Sequence, residues 1–372
     1  MRFLSFLAVL ACASATCLGQ TAHTVHSDGS ITFQLAAPGA KTAALLLEGA
    51  AKPLPMTRDA NGSWSVTTAK LAPEIYGYAY TVDGVRQLDP VNSDVRNNYL
   101  FLWNNILVPD AKPEPWELQA IAHGAVTHHV FTTKQVEGLP EGQSEYYVYT
   151  PPGYDAHRTQ AYPVLYLLHG WSDHADAWTA SGHADRILDE LIDTGKARPM
   201  VVVMPVGYGT MQVLTVSSGQ PGFEDLFYKN NDGFTHTLLQ EVIPQVEREY
   251  HVRTDRDGRA IAGLSMGGLE SVTIGLAHTE RFSWIGSFSG AFLRTEAPDI
   301  TPAEAKLHLL WVACGTEDGL LQDNRAEITG LKQKGFAVSA VETPGMHTWM
   351  VWRDNLLHFA PQLFTPATAQ GK

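Results

Sequence analysis

The sequence predicts an α/β fold with a mostly parallel sheet, preceded by a small all-β sandwich. From residue 116 onward, apolar runs of strand length alternate with longer helical patterns, which is typical of a parallel sheet covered on both faces. Before that point the apolar runs are short, alternate with polar residues and are separated by turn residues. The length of 372 residues favours one large and one small domain.

The first region is expected to span residues 20–112. Its predicted strands cover residues 31–35, 43–47, 64–67 and 76–80. The turn sequences Asp59-Ala-Asn-Gly62 and Val82-Asp-Gly84 separate some of these strands. Short strands at this spacing predict an immunoglobulin-like β-sandwich. Such a module can bind sugar or support its neighbour, and we expect the supporting role.

The second region is expected to span residues 113–368, after a proline-rich linker at residues 109–115. Its predicted strands cover residues 146–149, 164–168, 200–204, 259–262, 284–288, 307–313 and 337–342. Its predicted helices cover residues 183–194, 236–250, 267–278, 321–334 and 348–359. Pro244 lies inside one of these helices and predicts a kink there.

The composition excludes several classes of function. The formal charge of −13 and the lack of any basic run argue against a nucleic-acid partner, because such binding depends on clustered Lys and Arg. The chain has none of the sequence motifs of zinc, nucleotide or dinucleotide sites. We therefore expect no metal and no cofactor.

Residues 1–19 have the layout of a secretory signal peptide. Arg2 precedes an apolar stretch at residues 3–11, and small residues follow it. This stretch is too short to span a membrane, and no other apolar run is long enough to do so. The sequence therefore predicts a secreted or periplasmic protein. A lipid anchor at Cys12 is a weaker alternative.

The pattern Gly263-x-Ser265-x-Gly267 is the main chemical signal in the chain. An apolar run precedes it and a helical run follows it, so the motif is predicted to form a turn between a strand and a helix. A nucleophile elbow places its serine at the apex of such a turn and needs glycines where backbones approach closely. Ser265 is therefore the predicted nucleophile.

A serine nucleophile needs a base, and the base needs a carboxylate that orients it. His347 follows the last predicted strand, at the sheet edge where α/β enzymes build their sites. Asp318 follows the preceding strand, with Glu317 and Asp323 as competing candidates. The resulting chain order of serine, aspartate and histidine is that of the α/β-hydrolases.

Two backbone amides are needed to stabilise the oxyanion. One is predicted to be Met266, the residue after the nucleophile, and the other Trp171 or Gly170, after an early strand. Aromatic side chains near the site loops could bind a sugar ring or a planar acyl group. The candidates for these substrate contacts are Trp178, Tyr208 and Trp349.

Several motifs in this order resemble the esterase D-like α/β-hydrolases, a group that includes the feruloyl and acetylxylan esterases of carbohydrate esterase family 1 and siderophore esterases. They are Leu168-His-Gly-Trp171, Met204-Pro-Val-Gly-Tyr-Gly209, Arg259-Ala-Ile-Ala-Gly-Leu-Ser-Met-Gly-Gly268, Cys314-Gly-Thr-Glu-Asp318 and Gly345-Met-His-Thr-Trp349. The resemblance implies that Ser265, Asp318 and His347 form the triad and that the amides of Trp171 and Met266 form the oxyanion hole. Val206 departs from the asparagine that relatives often carry, which weakens any claim of a polar contact there.

The sequence thus predicts a secreted serine carboxylic-ester hydrolase acting on feruloyl or acetyl esters of plant polysaccharides. The alternatives are a siderophore trilactone esterase in the same fold and a non-catalytic glycan-binding protein. Because every candidate catalytic residue lies after residue 116, the second region is also expected to be active on a small ester without the first.

Overall fold

The computed structural model describes residues 23–216, 220–291 and 300–365, so the predicted signal peptide lies outside the described residues. The first region forms the strands β1 (His23–Val25), β2 (Ile31–Ala36), β3 (Ala43–Leu47), β4 (Leu54–Pro55), β5 (Thr57–Arg58), β6 (Ser63–Thr67), β7 (Glu74–Val82), β8 (Val85–Gln87), β9 (Val95–Arg96) and β10 (Trp103–Val108). They pair antiparallel in the orders β1-β2-β6-β5 and β4-β3-β7-β10-β9, with β8 beside β7. We call residues 23–108 the module.

The module is held together by one apolar core. Strands β2 and β3 bury alternate side chains, as expected where one face of a sheet packs and the other meets solvent. Phe33, Leu45 and Tyr78 are fully buried in this core. The predicted all-β region is therefore confirmed.

The rest of the chain is built on one eight-stranded sheet, which we call the hydrolase sheet. Its strands are β11 (Ala125–Thr132), β12 (Gln143–Thr150), β13 (Val164–Leu168), β14 (Val201–Pro205), β15 (Arg259–Leu264), β16 (Trp284–Phe288), β17 (Leu309–Gly315) and β18 (Ser339–Thr343). They lie in the order β11-β12-β14-β13-β15-β16-β17-β18. All neighbours from β14 to β18 are parallel, whereas β11 and β12 are antiparallel. The predicted, mostly parallel α/β sheet is confirmed.

Helices cover both faces of this sheet. They are α1 (Ala177–Ala180), α2 (Ala184–Asp193), α3 (Phe223–Thr237), α4 (Ile243–Glu249), α5 (Met266–Ala277), α6 (Pro302–Ala305), α7 (Leu321–Gln333) and α8 (Trp349–Phe359). Each face contributes a separate apolar core, because buried strands present alternate side chains to opposite sides. In the described part of the chain, no helix has the length and apolar character needed to cross a membrane.

One predicted helix and one unpredicted strand show where the structure differs from the sequence prediction. The helix predicted at residues 236–250 begins earlier, since α3 continues through a π-helical turn at Leu238–Val242 into α4. Pro244 has no N–H to donate within an α-helix, and the wider turn just before it accommodates this loss. Strand β11 was not predicted, because its side chains are mostly exposed at the sheet edge and give little apolar signal.

The module and the hydrolase sheet are joined by a buried arginine. Arg353 of α8 is fully buried, pairs with Glu74 at 2.9 Å and donates to the carbonyl oxygen of Ile75 at 2.7 Å. A third hydrogen bond, to the carbonyl oxygen of Ser181, lies within the second region. Deleting the module would leave this guanidinium without two of its partners, which is costly for a buried charge. The structure thus argues against a second region that functions alone.

Candidate active site

Ser265 lies in a strained turn between β15 and α5. Its backbone has φ 51° and ψ −116°, a conformation that residues other than glycine rarely adopt. A Cβ on Gly263 would lie 2.5 Å from the carbonyl oxygen of Gly267, and one on Gly267 would lie 2.6 Å from that of His169. Both glycines of the motif are therefore required by close backbone contacts.

Three predicted side chains form one hydrogen-bonded chain. The Ser265 hydroxyl lies 2.9 Å from Nε2 of His347, and Nδ1 of His347 lies 2.7 Å from Oδ2 of Asp318. His347 follows β18 and Asp318 follows β17, so the parallel strands deliver both to the same edge of the sheet. This order of contacts allows a proton to move from the hydroxyl to the imidazole.

Asp318 is the carboxylate that reaches His347. Its side chain is inaccessible to solvent, and Oδ1 accepts a hydrogen bond from the N–H of Leu320 at 2.9 Å. Burial works to raise the pKa of Asp318, but the hydrogen bond and charge of His347 outweigh it and hold the pKa below its ordinary value. The competing candidates, Glu317 and Asp323, are exposed.

The predicted oxyanion amides lie beside the nucleophile. A Cβ on Gly170 would lie 3.5 Å from the Cβ of Ser265, so the residue before Trp171 lies next to the nucleophile. Met266 is the first residue of α5, and N–H groups at that position have no partner within the helix. We call residues 169–176 the oxyanion loop and residues 344–349 the base loop.

Two predicted substrate contacts are wrong. Trp178 is fully buried, and its indole N–H donates to the carbonyl oxygen of Leu168 at 2.9 Å. Tyr208 is fully buried as well, and its hydroxyl donates to the carbonyl oxygen of Asp173 at 3.0 Å. Trp349 does line the cavity beside Ser265 but is only 4% exposed. These aromatic rings support the loops rather than present faces to a ligand.

The cavity above Ser265 has a volume of about 420 Å³ and lies between the module and the hydrolase sheet. The second region lines it with Gly170, Trp171, Ser172, Asp173, Leu264, Ser265, His347, Thr348, Trp349 and Trp352. The module lines it with Leu47, Glu48, Gly49, Ala50, Arg96, Asn98, Phe101 and Trp103. The candidate reacting groups thus come from one region, whereas the cavity wall comes from both.

The module reaches the base loop through Glu48. Its Oε1 accepts a hydrogen bond from the N–H of Trp349 at 3.1 Å, at the start of α8 and two residues after His347. A carboxylate at a helix N-terminus is favourable, and the helix lacks a cap from its own Thr348 side chain. Glu48 is buried, yet the charge of Arg96, whose Nη2 lies 2.9 Å from Oε2, lowers its pKa.

The module reaches the oxyanion loop through Asn98 and Tyr99. The Asn98 amide donates to Oδ1 of Asp173 at 2.9 Å, and the N–H of Tyr99 donates to the carbonyl oxygen of Ser172 at 2.8 Å. The ring of Tyr99 stacks on His174 with centroids 3.7 Å apart. The oxyanion loop is therefore fixed from the module side.

Sequence reasoning missed these module contacts. Their one visible signal is the run from Tyr99 to Trp103, which is apolar but lacks the alternation of a strand. Among the described residues, no group of His, Cys, Asp and Glu side chains has an arrangement that could hold a metal ion.

The parallel sheet and its covering helices have the α/β-hydrolase fold. The Esterase family model matches residues 139–363, and the protein belongs to this family. The predicted family, including its α/β-hydrolase fold and its class of carboxylic ester hydrolases, is therefore confirmed.

Similar proteins differ in how much of the chain they share. An endo-1,4-beta-xylanase/feruloyl esterase of Xylanibacter ruminicola is 30% identical over 356 residues, which are 93% of this chain but 46% of that protein. The chain therefore spans less than half the length of this relative. The enterobactin esterase of Shigella flexneri matches 90% of this chain and 93% of its own with a TM-score of 0.66 and 18% identity. A carbohydrate esterase family 1 ferulic acid esterase of Anaeromyces mucronatus covers 73% of this chain and 97% of its own, with a TM-score of 0.57 and 21% identity.

Proposed function

We propose that this protein is an exported serine esterase that hydrolyses carboxylic esters through an acyl-enzyme. The observation that carries the proposal is the hydrogen-bonded chain from Ser265 through His347 to Asp318, which starts at the apex of a strained turn. A serine, a base and an orienting carboxylate in this geometry are what nucleophilic catalysis needs. The signal peptide predicted at residues 1–19 supports export.

In the first half of the reaction, Ser265 Oγ attacks the ester carbonyl carbon while its proton passes to Nε2 of His347. The amides of Trp171 and Met266 stabilise the negative oxygen of the tetrahedral intermediate. As the intermediate collapses, the bond to the alcohol breaks and His347 gives its proton to the departing oxygen. The acyl group remains on Ser265.

In the second half, water attacks the acyl carbon and transfers a proton to His347. Collapse breaks the bond to Ser265 Oγ, which regains the proton and releases the carboxylic acid. Asp318 keeps the imidazole in the tautomer that accepts at Nε2, and it stabilises the imidazolium formed in both halves. No external reactant besides water is consumed.

For the substrate we propose feruloyl or acetyl esters carried by plant polysaccharides. The similarity to a xylanase/feruloyl esterase covers 93% of this chain, including the module, and supports an ester linked to xylan. The cavity also presents aromatic residues, among them Trp171 and Phe101, that suit a sugar ring or a planar acyl group.

A siderophore trilactone is the alternative substrate, favoured by the similarity of both regions to an enterobactin esterase fold. An anionic iron chelate would need free cationic groups. Among the described residues that line the cavity, Arg96 is the one Arg or Lys. Its guanidinium already binds Glu48 and Asn105. The charge of the cavity therefore favours the polysaccharide ester.

Two experiments test the proposal in sequence. A fluorophosphonate probe should label the wild-type protein and fail to label Ser265→Ala; an unlabelled wild type would instead support a non-catalytic glycan-binding protein. Hydrolysis of feruloylated and acetylated xylo-oligosaccharides should then show a higher kcat/KM than hydrolysis of an iron-loaded catecholate trilactone. The reverse ranking would favour the siderophore alternative.

A further inference from the structure

An exposed apolar run lies at the mouth of the cavity. Tyr99, Leu100, Phe101 and Leu102 are consecutive, and each is between 39% and 44% exposed. Single exposed apolar side chains are ordinary on a protein surface, but a contiguous patch beside a cavity usually marks a binding site. We call residues 98–103 the aromatic wall.

The aromatic wall is held in one conformation by polar contacts. Asn98 Oδ1 accepts hydrogen bonds from the N–H groups of Leu100 and Phe101 at 2.9 and 2.8 Å. Arg86 Nη2 donates to the carbonyl oxygen of Leu102 at 2.9 Å, and its guanidinium lies 4.2 Å from the ring centroid of Trp103. Because the wall is already ordered, a ligand that packs on it loses little free energy to ordering.

The position of the wall indicates which part of an ester it contacts. The Phe101 ring centroid lies 6.4 Å from that of Trp171 on the oxyanion loop, whereas the module approaches the base loop through Glu48. The leaving alcohol must lie near His347, which protonates it. An acyl group that extends away from His347 along the oxyanion loop would meet Phe101, which lines the same cavity beside Trp171.

We propose that Phe101 and Trp103 of the module form the acyl-binding subsite and that this subsite takes a planar aromatic acyl group. The proposal rests on the esterase function proposed above and adds that acyl specificity is supplied by the module. An aromatic ring covered by Phe101 gains apolar burial and ring stacking. An acetyl group is too small to gain the same contacts.

The test uses two esters with the same leaving group, 4-nitrophenyl ferulate and 4-nitrophenyl acetate, and the full-length protein. Phe101→Ala should lower kcat/KM for the ferulate roughly 10-fold or more while leaving the acetate within about 2-fold. Phe101→Tyr, which keeps the ring, should restore the ferulate value. Leu107→Ala is the matched control, because Leu107 is an exposed module residue outside the cavity lining.

The acetate reaction reports folding and the integrity of the reacting groups. An equal fall for both esters in Phe101→Ala, or no change for either, would overturn the acyl-subsite proposal while leaving the esterase intact. If the wild-type protein hydrolyses neither ester and resists the fluorophosphonate probe, the proposed function itself fails.

Discussion

The two sides of the cavity are built in different ways. On the hydrolase side, Ser265, Asp318 and His347 lie at the ends of β15, β17 and β18, where local backbone geometry places them. On the module side, Glu48 and Asn98 act through side-chain hydrogen bonds to loops about 300 and 75 residues away in the chain. The candidate reacting residues thus come from one region, whereas the residues that shape the cavity come from both.

From this difference we expect that substitutions can change substrate specificity without changing the reacting groups. The hydrolase side needs each reacting atom within hydrogen-bond reach of the next, so small displacements there should abolish turnover. The module side sets the position of two loops and the shape of one wall. Substitutions there should give smaller effects, which depend on the substrate where the substituted residue belongs to the cavity wall.

The largest effect is expected from the reacting groups. Ser265→Ala and His347→Ala should each lower kcat on a soluble ester by a factor on the order of 10⁴ to 10⁶. The double variant should be little worse than either, because the two groups act as one unit. Steady-state kinetics with each purified variant measures this, and losses that multiply would contradict a shared mechanism.

The orienting carboxylate is expected to come next. Asp318→Asn should keep the fold but lower kcat by a factor on the order of 10⁴, since an amide at this position favours the wrong imidazole tautomer. Glu317→Gln and Asp323→Asn are matched controls on the same segment and should have mild effects, because both side chains are exposed. If Glu317→Gln were the damaging change, the carboxylate would be misassigned.

The sequence was informative where the chain determines geometry locally. The glycines at 263 and 267 indicate a tight turn. Asp318 and His347 lie in the loops that the sequence predicts after β17 and β18. The aromatic residues were less informative, because Trp178 near a site loop can point into the core as easily as into the cavity. The role of Glu48 could not be predicted, since it depends on how the two regions pack.

The contact between Glu48 and the base loop should have an intermediate effect. Glu48→Ala removes the acceptor for the Trp349 N–H and leaves Arg96 buried without its carboxylate. We expect a loss of roughly 3–5 kcal/mol in the free energy of unfolding. We also expect kcat to fall roughly 10- to 100-fold for acetate and ferulate esters alike, because His347 shifts.

Glu48→Gln separates the effect of the hydrogen bond to α8 from the effect of the ion pair with Arg96, because it keeps an acceptor for the Trp349 N–H but removes the charge. It should recover most of kcat while remaining less stable than the wild type in urea. Glu137→Ala, which breaks an exposed ion pair with Lys229, is the control and should change stability by about 1 kcal/mol or less. A stable, fully active Glu48→Ala would show that α8 holds the base loop without help.

The smallest effect concerns the other contact between the module and a site loop, where Asn98 donates to Asp173. Asp173 is buried, and burial raises its pKa from 3.8 to about 7. The folded protein therefore holds this proton more tightly than the unfolded chain does, which adds to the free energy of unfolding below pH 3.8. This contribution is lost as the pH rises through about 7, where the folded protein must bury a charged carboxylate.

Asp173→Asn should therefore flatten the dependence of stability on pH. The amide is neutral throughout and can still accept a hydrogen bond from Asn98. The variant should therefore become more stable than the wild type between about pH 4 and pH 8. The expected gain is on the order of 2–4 kcal/mol in the free energy of unfolding, measured by urea denaturation at several pH values. Asp176→Asn, on the same loop but less buried, should follow the wild-type curve. Parallel curves for Asp173→Asn and the wild type would show that the Asp173 carboxylate is hydrated when charged, and that the contact with the module does not depend on its proton.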